Sequence, residues 1–478
     1  MKNEENSVKS VYFMFPCYAI GGGELLIIRI IEHLLKYTDI KVGIIDFSDG
    51  TLYRTCKKFF PENDIEYIEY RQSFWNLEDN AVIFTSADHL GCIKPHTGGN
   101  VRISIILWEN GIAWKTLFEK RKIPAVSKLI NQNDAMCFMD YGCYTSGCRQ
   151  LNQVFEKNYL PIFFQKPVYQ HFDKKTPDNE INMIWLGRLS EAKEQSIYNI
   201  VENFYNYKTQ KKKVFHIIGN GTREHIIKKN LKKYEDKIKF IFTGVITDDA
   251  LFQYIRENAD IGVAMGTSAL TFAALKIPVL MAHEHPTPFF SNEFGWLFDM
   301  YDYCTGSPVI KDEFTLPMFQ NLSSFDQLLD DITLNGKKEP IGKKCFQYYA
   351  DKHNDLKKTA QAFIDCVGKT TLTYEMLKKT LKFMPYDGRD GLEIFRYNIM
   401  GLPFLKVFYH GYTRRYYIFG LRVFKRISTP QYFKFYLFFI MVFQIKRWGR
   451  YSFPSTTSET IREECKDKYA INDLYYNE

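Results

Sequence analysis

"INMIWLGRLSEAKEQSIYNIVENFY" (181–205) decides the fold. Its first seven residues are a short apolar run closed by glycine, which reads as a buried strand. The remainder has helical spacing. Ser190 stands where an N-cap belongs, and Ile197, Ile200, Val201 and Phe204 recur as an apolar stripe. Lys193 then falls near the third helical position, with Arg188 in the turn before it. The first turn of a helix carries positive partial charge, so an exposed lysine there costs a few tenths to about 1 kcal/mol. An anion held between Arg188, Lys193 and the first-turn N–H groups would reverse that sign, because all three would act on one negative charge. On spacing alone, two solvated surface cations are the more ordinary reading.

The unit is repeated downstream. "KVFHIIGNG" (213–221), "KIKFIFTGV" (237–245), "ADIGVAM" (259–265) and "IPVLMA" (277–282) are further strands with helical stretches between them. Gly219 and Gly221 lie between a strand and a helix, where backbone can come close to a ligand. Gly244 and Val245 end a strand and leave main-chain groups open to something flat, such as a base. A tight Gly266-Thr267-Ser268 turn offers N–H groups and two hydroxyls before a helix expected to start near Ala269. Each is ordinary loop chemistry alone, but the four lie at the same end of successive strands.

Residues 11–170 show the same alternation. "VYFMF" (11–15), "KVGIIDF" (41–47), "AVIFTSA" (81–87) and "VRISIILW" (101–108) read as strands. "GGGELLIIRIIEHLLKY" (21–37) reads as a helix with Arg29, Glu32, His33 and Lys36 on one polar face. The proline-containing, then charged, stretch 161–180 reads as a linker. Two α/β halves joined by a linker enclose a cleft, and ligands of such sheets gather at the C-terminal ends of strands. His89 and Glu109 each follow an apolar strand in the first half, and Glu24 opens a helix after glycines; each also reads as a structural polar group.

A chain of 478 residues is too long for one core. Its ten cysteines include no CxxC pair and no zinc spacing, and Cys143 and Cys148 are the closest two. Reduced thiols in a cytoplasm are the plain reading. Residues 1–10 carry no apolar signal segment. "HEHP" (283–286) is not a HExxH zinc motif, so no metal is expected. The net charge of +8 is unevenly placed: no Asp or Glu occurs from Ile394 to Ser458, where eleven Lys or Arg lie between Arg396 and Arg450. The rest of the chain is close to neutral.

That basic tail is aromatic and carries a near-repeat, "YNIMGLPFLK" (397–406) and "YYIFGLRVFK" (416–425), which points to a pair of hairpins. "FYLFFIMVF" (435–443) is too short to span a bilayer. With Tyr432, Tyr436 and Trp448 it suits an element at an anionic membrane surface, or one packed on the body. Nucleic acid, the other partner of basic and aromatic surfaces, is not the expectation.

The ordered set "GRLSEAK", "HIIGNG", "FIFTGV", "ADIGVAM" and "ALKIPVL" resembles the donor half of GT-B glycosyltransferases of family 4, most closely over 181–300, and "GGGE" is similar to that family's Gly-Gly-x-Glu loop. The resemblance implies an α/β GT-B architecture, two Rossmann-like domains facing across a cleft, plus a C-terminal extension. The expected bounds are 1–172 for the acceptor domain, 173–345 for the donor domain, 346–370 for a closing helix and 371–478 for the extension. It further implies a metal-independent transfer, needing no cofactor, from a nucleotide-diphosphate sugar to a glycan or lipid-linked acceptor of surface polysaccharide, with retention, on the cytoplasmic face. Arg188 and Lys193, with Gly187, would hold the diphosphate, Gly244 and Val245 would meet the base, and Gly22 and Gly23 would admit the acceptor half to the donor. The family's two glutamates, eight residues apart, would fall near Val263 and Thr271, and neither is acidic. An inactive binding or assembly subunit therefore stands as the alternative, with a sugar-nucleotide epimerase behind it.

Overall fold

The computed structural model describes residues 8–16, 22–72, 74–108, 123–165, 177–284, 288–308, 319–381, 386–387, 391–400, 402–410, 413–428, 432–438 and 440–446. The first half builds a parallel sheet from β1 (Ser10–Met14), β2 (Lys41–Asp46), β3 (Glu66–Glu69), β4 (Val82–Ser86), β5 (Arg102–Leu107) and β6 (Met136–Phe138), in the order β3-β2-β1-β4-β5-β6. α1 (Gly22–Tyr37), α2 (Thr51–Phe59), α3 (Ile123–Gln132) and α4 (Tyr141–Leu151) cover it. β1 explains why its sequence is continuously apolar. Val11 and Phe13 enter a core with Ile27, Ile31 and Leu34 of α1, while Tyr12 and Met14 enter a second core on the opposite face. A strand buried on both faces has no polar side.

The second half is a five-stranded parallel sheet of β7 (Glu180–Leu186), β8 (Lys212–Ile218), β9 (Ile238–Gly244), β10 (Ile261–Ala264) and β11 (Val279–Met281), ordered β11-β10-β7-β8-β9. α5 (Glu191–Asn206), α6 (Glu224–Leu231), α7 (Asp248–Asn258) and α8 (Thr267–Ala274) alternate with its strands. Two short pairs, β12 (His283–Glu284) with β14 (Ser307–Pro308) and β13 (Glu293–Phe294) with β15 (Ser323–Ser324), precede α9 (Phe325–Thr333). The chain is thus α/β with two doubly wound, Rossmann-like sheets.

The chain then returns to the first half. α10 (Lys338–His353) gives Ile341, Cys345 and Tyr349 to the core of the second half, whereas α11 (Leu356–Lys369) gives Phe363 and Val367 to the core of the first half that holds Val11 and Phe13. Phe363 stacks on Phe13 at 5.4 Å. The single closing helix expected from the sequence is therefore two helices, with Asp355 accepting from the Lys358 N–H to cap the second. α12 (Tyr374–Leu381) also packs on the first half through Leu377, and the Ile103 N–H donates to the Leu372 carbonyl at 2.7 Å. The outgoing connection is pinned to this return: Phe164 donates to the His353 carbonyl at 2.8 Å, and His353 Nδ1 lies 2.8 Å from the Ile162 carbonyl. His33 departs from the polar face expected of α1. It is 9% exposed, because α11 lies over it, whereas Arg29 and Glu32 pair at the surface.

Beyond the body lies an antiparallel meander of β16 (Tyr386–Asp387), β17 (Gly391–Ile399), β18 (Leu402–His410), β19 (Thr413–Ile418), β20 (Leu421–Ser428), β21 (Tyr432–Leu437) and β22 (Ile440–Lys446), in sequence order. The expected pair of hairpins is there, and a third follows at the same spacing. No described residue of this sheet belongs to the cores of the two halves. No helix among the described residues is long and apolar enough to cross a membrane.

Candidate functional site

In the second sheet, successive strands run outward from β7 in both directions, β8 and β9 to one side and β10 and β11 to the other. The crevice beyond the C-terminal ends of β7 and β10 is therefore the switch point, where ligands of open α/β sheets bind. The loop 187–190 and the turn 265–268 flank it. α5 starts at Glu191 with Ser190 at the N-cap, which makes Lys193 the third helical residue. The Lys193 and Glu194 N–H groups donate to the Ser190 carbonyl at 3.0 Å. Arg188 is exposed on the loop and Lys193 is partly buried. Lys193 belongs to the same side of α5 as the buried Ser196 and Ile197, the side turned toward the sheet.

Glu191 and Glu194 also stand in that first turn, so the helix does satisfy its dipole, and the lysine is placed among acids. Glu194 is 4% exposed and accepts from Arg223 Nε at 2.6 Å. Arg223 in turn donates its N–H to the Leu189 carbonyl at 2.9 Å. This pair locks the cation-bearing loop to the start of α6. Arg223 belongs to none of the motifs drawn from the sequence, and its one signal there is its place two residues after the glycine loop.

The glycines of "GNG" have a structural cause. A Cβ on Gly219 would lie 2.2 Å from the Gly187 carbonyl oxygen, and one on Gly221 would lie 2.5 Å from that of Leu189, both at positive φ. The close approach there is between loops: Gly187 donates to Ile218, Leu189 to Asn220, and Gly219 to Gly244. These bonds align the ends of β7, β8 and β9. At the third, Val245 is 51% exposed beside Gly244, leaving an apolar surface at the rim.

Across the switch point, α8 starts at Thr267, two residues earlier than expected, with Gly266 at its N-cap and no side-chain cap. Thr267 and Ser268 are partly buried in its first turn. The two positions that the family resemblance would make acidic are closed to a ligand: Val263 is fully buried, and Thr271 is 5% exposed with its hydroxyl on the Thr267 carbonyl.

The first sheet has its own switch point, between β1 and β4. Gly22, Gly23 and Glu24 open α1 on one side, and a Cβ on Gly23 would meet the Trp108 indole at 2.8 Å. On the other, His89 sits in the 3-10 turn Ala87–Cys92, its Nδ1 2.9 Å from the Ser86 hydroxyl. Glu109 lies outside the described residues. One segment joins the two edges. Asp302 accepts from the Tyr141 N–H at 2.9 Å, after β6, and Thr305 accepts from the Gly266 N–H at 2.6 Å, before α8. The C-terminal edges of both sheets therefore border the same segment, 302–305. At this junction, burial pushes the Asp140 carboxyl up to about 6, against the Cys143 N–H it accepts from.

Cys143 and Cys148 are free thiols. Among the described residues, no three His, Cys, Asp or Glu come together as a metal set. A groove of about 870 Å³ between α5 and α6, lined by Glu191, Tyr198, Glu202, Lys233 and Phe290, includes neither Arg188 nor Lys193 and is a separate feature.

No family model matches the chain, and no curated protein matches it. Among solved structures, a glycosyltransferase from Rickettsia africae is similar over 79% of this chain and 100% of its own, at 13% identity and a TM-score of 0.48. HepE of Anabaena, in complex with UDP and glucose, is similar over 75% of this chain and 98% of its own, at 13% identity and 0.44. The trehalose-6-phosphate phosphatase N-terminal domain of Candida albicans reaches 77% and 98%, at 10% identity and 0.49. Likenesses this loose assign no role to any residue.

Proposed function

We propose that this chain is a GT-B glycosyltransferase that moves a sugar from a nucleotide-diphosphate sugar to a glycan or lipid-linked acceptor of surface polysaccharide, with retention at the anomeric carbon. The observation that carries this reading is the switch point of the second sheet. The loop that bears Arg188, the start of α5 with Lys193 and the start of α8 all lie at that edge, which supports an anion being bound there. Breaking the bond from sugar to diphosphate builds negative charge on the leaving group, and Arg188, Lys193 and the first-turn N–H groups would stabilise it. Thr267 and Ser268 would bond phosphate or sugar oxygens, and Val245 would lie under the base. The edge of the first sheet, with Gly22, Gly23, Glu24 and His89, would receive the acceptor. The basic extension would hold the enzyme against an anionic membrane on its cytoplasmic face, where lipid-linked acceptors are met.

The test is a thermal-shift and turnover screen against UDP-, GDP- and CMP-sugars. Stabilisation by one nucleotide-diphosphate sugar, with slow release of its sugar, supports the reading; no stabilisation by any member defeats it. The buried Val263 and Thr271 favour a second reading, a subunit that binds the nucleotide-sugar without consuming it. Binding without hydrolysis or transfer would identify that case.

A further inference from the structure

Three of the meander's turns are built alike. β17 and β18 are joined by Met400-Gly401, β19 and β20 by Phe419-Gly420, and β21 and β22 by Phe438-Phe439, each nineteen residues after the last. In a meander, alternate turns lie at the same end, so all three tips point one way. Met400, Phe419 and Phe438 have φ of 48°, 47° and 51°. Two-residue hairpin turns with positive φ are normally filled by Asn, Asp or Gly, because a bulky side chain is strained there. Here the strained position holds a large apolar residue three times, and each is exposed: Met400 is 99% exposed, Phe419 70%, with one edge on the Phe404 ring, and Phe438 51%. Ile399, Leu421 and Ile440 extend the apolar tips. A local choice that costs the fold at three equivalent places points to a use.

Behind the tips the sheet is cationic. Arg415 lies opposite Lys425 in register, and Lys406 and Lys434 stand on the strands to either side. Arg415 and Arg422 lie close enough to Lys425 to lower its proton affinity, after burial. Like charges facing each other across strands weaken a sheet. Lys406, Arg415, Lys425 and Lys434 stand four to six residues, roughly 15 Å, behind the tips, and Arg422 stands nearer. Tips that enter ~5–10 Å into a bilayer would bring the long Lys and Arg side chains to the headgroups.

We propose that the three hairpin tips are insertion points into an anionic lipid surface, with Lys406, Arg415, Arg422, Lys425 and Lys434 binding its headgroups. This rests on the membrane contact proposed above for the extension and names the residues that make it. Repetition supplies the strength, since each tip alone buries little area and three act together.

The test is flotation of the full chain with phosphatidylcholine vesicles, with and without phosphatidylglycerol. The wild type binds the anionic vesicles and loses them with added salt. Met400→Asn, Phe419→Asn and Phe438→Asn place a residue that tolerates the turn, so these variants fold, as a melting curve verifies. Each lowers vesicle affinity about tenfold. Replacing a headgroup-binding lysine by Gln lowers it about fivefold and flattens the salt dependence. Wild-type binding that ignores lipid charge overturns the proposal, as does a triple Asn variant that floats like the wild type. Self-association lost in the Asn variants without any vesicle binding would also overturn it, by making the tips a contact between copies. Affinity for free nucleotide diphosphate is measured on the same proteins and does not depend on the tips, so failure of one reading is separable from failure of the other.

Discussion

At the switch point of the first sheet the chain offers Gly23 packed on Trp108, the acid of an α1 first turn and a histidine tied to Ser86. At that of the second it offers Arg188, Lys193 and two helix N-termini. The two sheets share one strand order over five strands and differ by one edge strand, so at the switch points the difference lies in loop chemistry. The proposed division of work rests on that difference: the second edge would take a phosphate-bearing donor, the first a neutral, hydroxyl-bearing acceptor. Segment 302–305, bonded to both edges, keeps the two beside each other.

The largest expected effect tests that division. Arg188→Ala and Lys193→Ala should each lower turnover about 10²–10³-fold, the cost of losing one donor to a developing anion. His89→Ala and Glu24→Gln should change acceptor dependence and leave donor affinity intact. Steady-state kinetics with each substrate varied separately would expose a failure of the division, for instance if the first-half variants lost donor affinity.

Next is the lacing of the second edge. Gly219→Ala puts a Cβ 2.2 Å from the Gly187 carbonyl, whereas Gly244→Ala meets nothing within 4 Å. Both suffer positive φ, so urea unfolding should show about 2–4 kcal/mol lost at Gly219 and about 1–2 at Gly244. Equal losses would mean that strain alone, rather than the loop contact, demands glycine.

The two halves also carry opposing acid responses. Burial holds His216, in β8, and His353, at the return crossing, at about 4. Both bind protons more weakly folded than unfolded, so their stability is present above pH 6.5 and is lost as pH falls toward 4, up to about 3 kcal/mol each. Asp140 runs the other way. Its folded value of about 6 exceeds the unfolded 3.8, so stability is lost as pH rises from about 4 to 6. Asp140→Asn, which keeps an oxygen for the Cys143 N–H, should gain roughly 1–3 kcal/mol at pH 7 and little at pH 4. Unfolding titrations across that range read both. The smallest effect is expected of Thr267→Ala or Ser268→Ala, a few-fold in donor affinity, each worth one neutral hydrogen bond.

Much of the fold was legible because buried parallel strands are written as continuous apolar runs. "VYFMF" and "INMIWLG" each matched their strand to within a residue or two at either end. β3 and β6 escaped, since "EYIE" is half-exposed and "MCF" has only three residues. The α10–α11 break escaped because Asn354 and Asp355 interrupt two helices whose apolar stripes face different cores, something one chain's periodicity does not reveal. At the site, the N-cap and the lysine position followed from capping chemistry. The purpose of Gly219 and Gly221 did not, because a glycine looks alike in sequence whether backbone or ligand approaches it. The third hairpin was hidden by Phe439 replacing the glycine of the other two.

The most direct test of the central claim is calorimetric titration of UDP and GDP into the wild type, Arg188→Ala and Lys193→Ala. The expected result is micromolar binding of one diphosphate by the wild type and a loss of about tenfold or more in each variant. Undiminished affinity in both variants would contradict it, and would leave the second switch point without a role in holding phosphate.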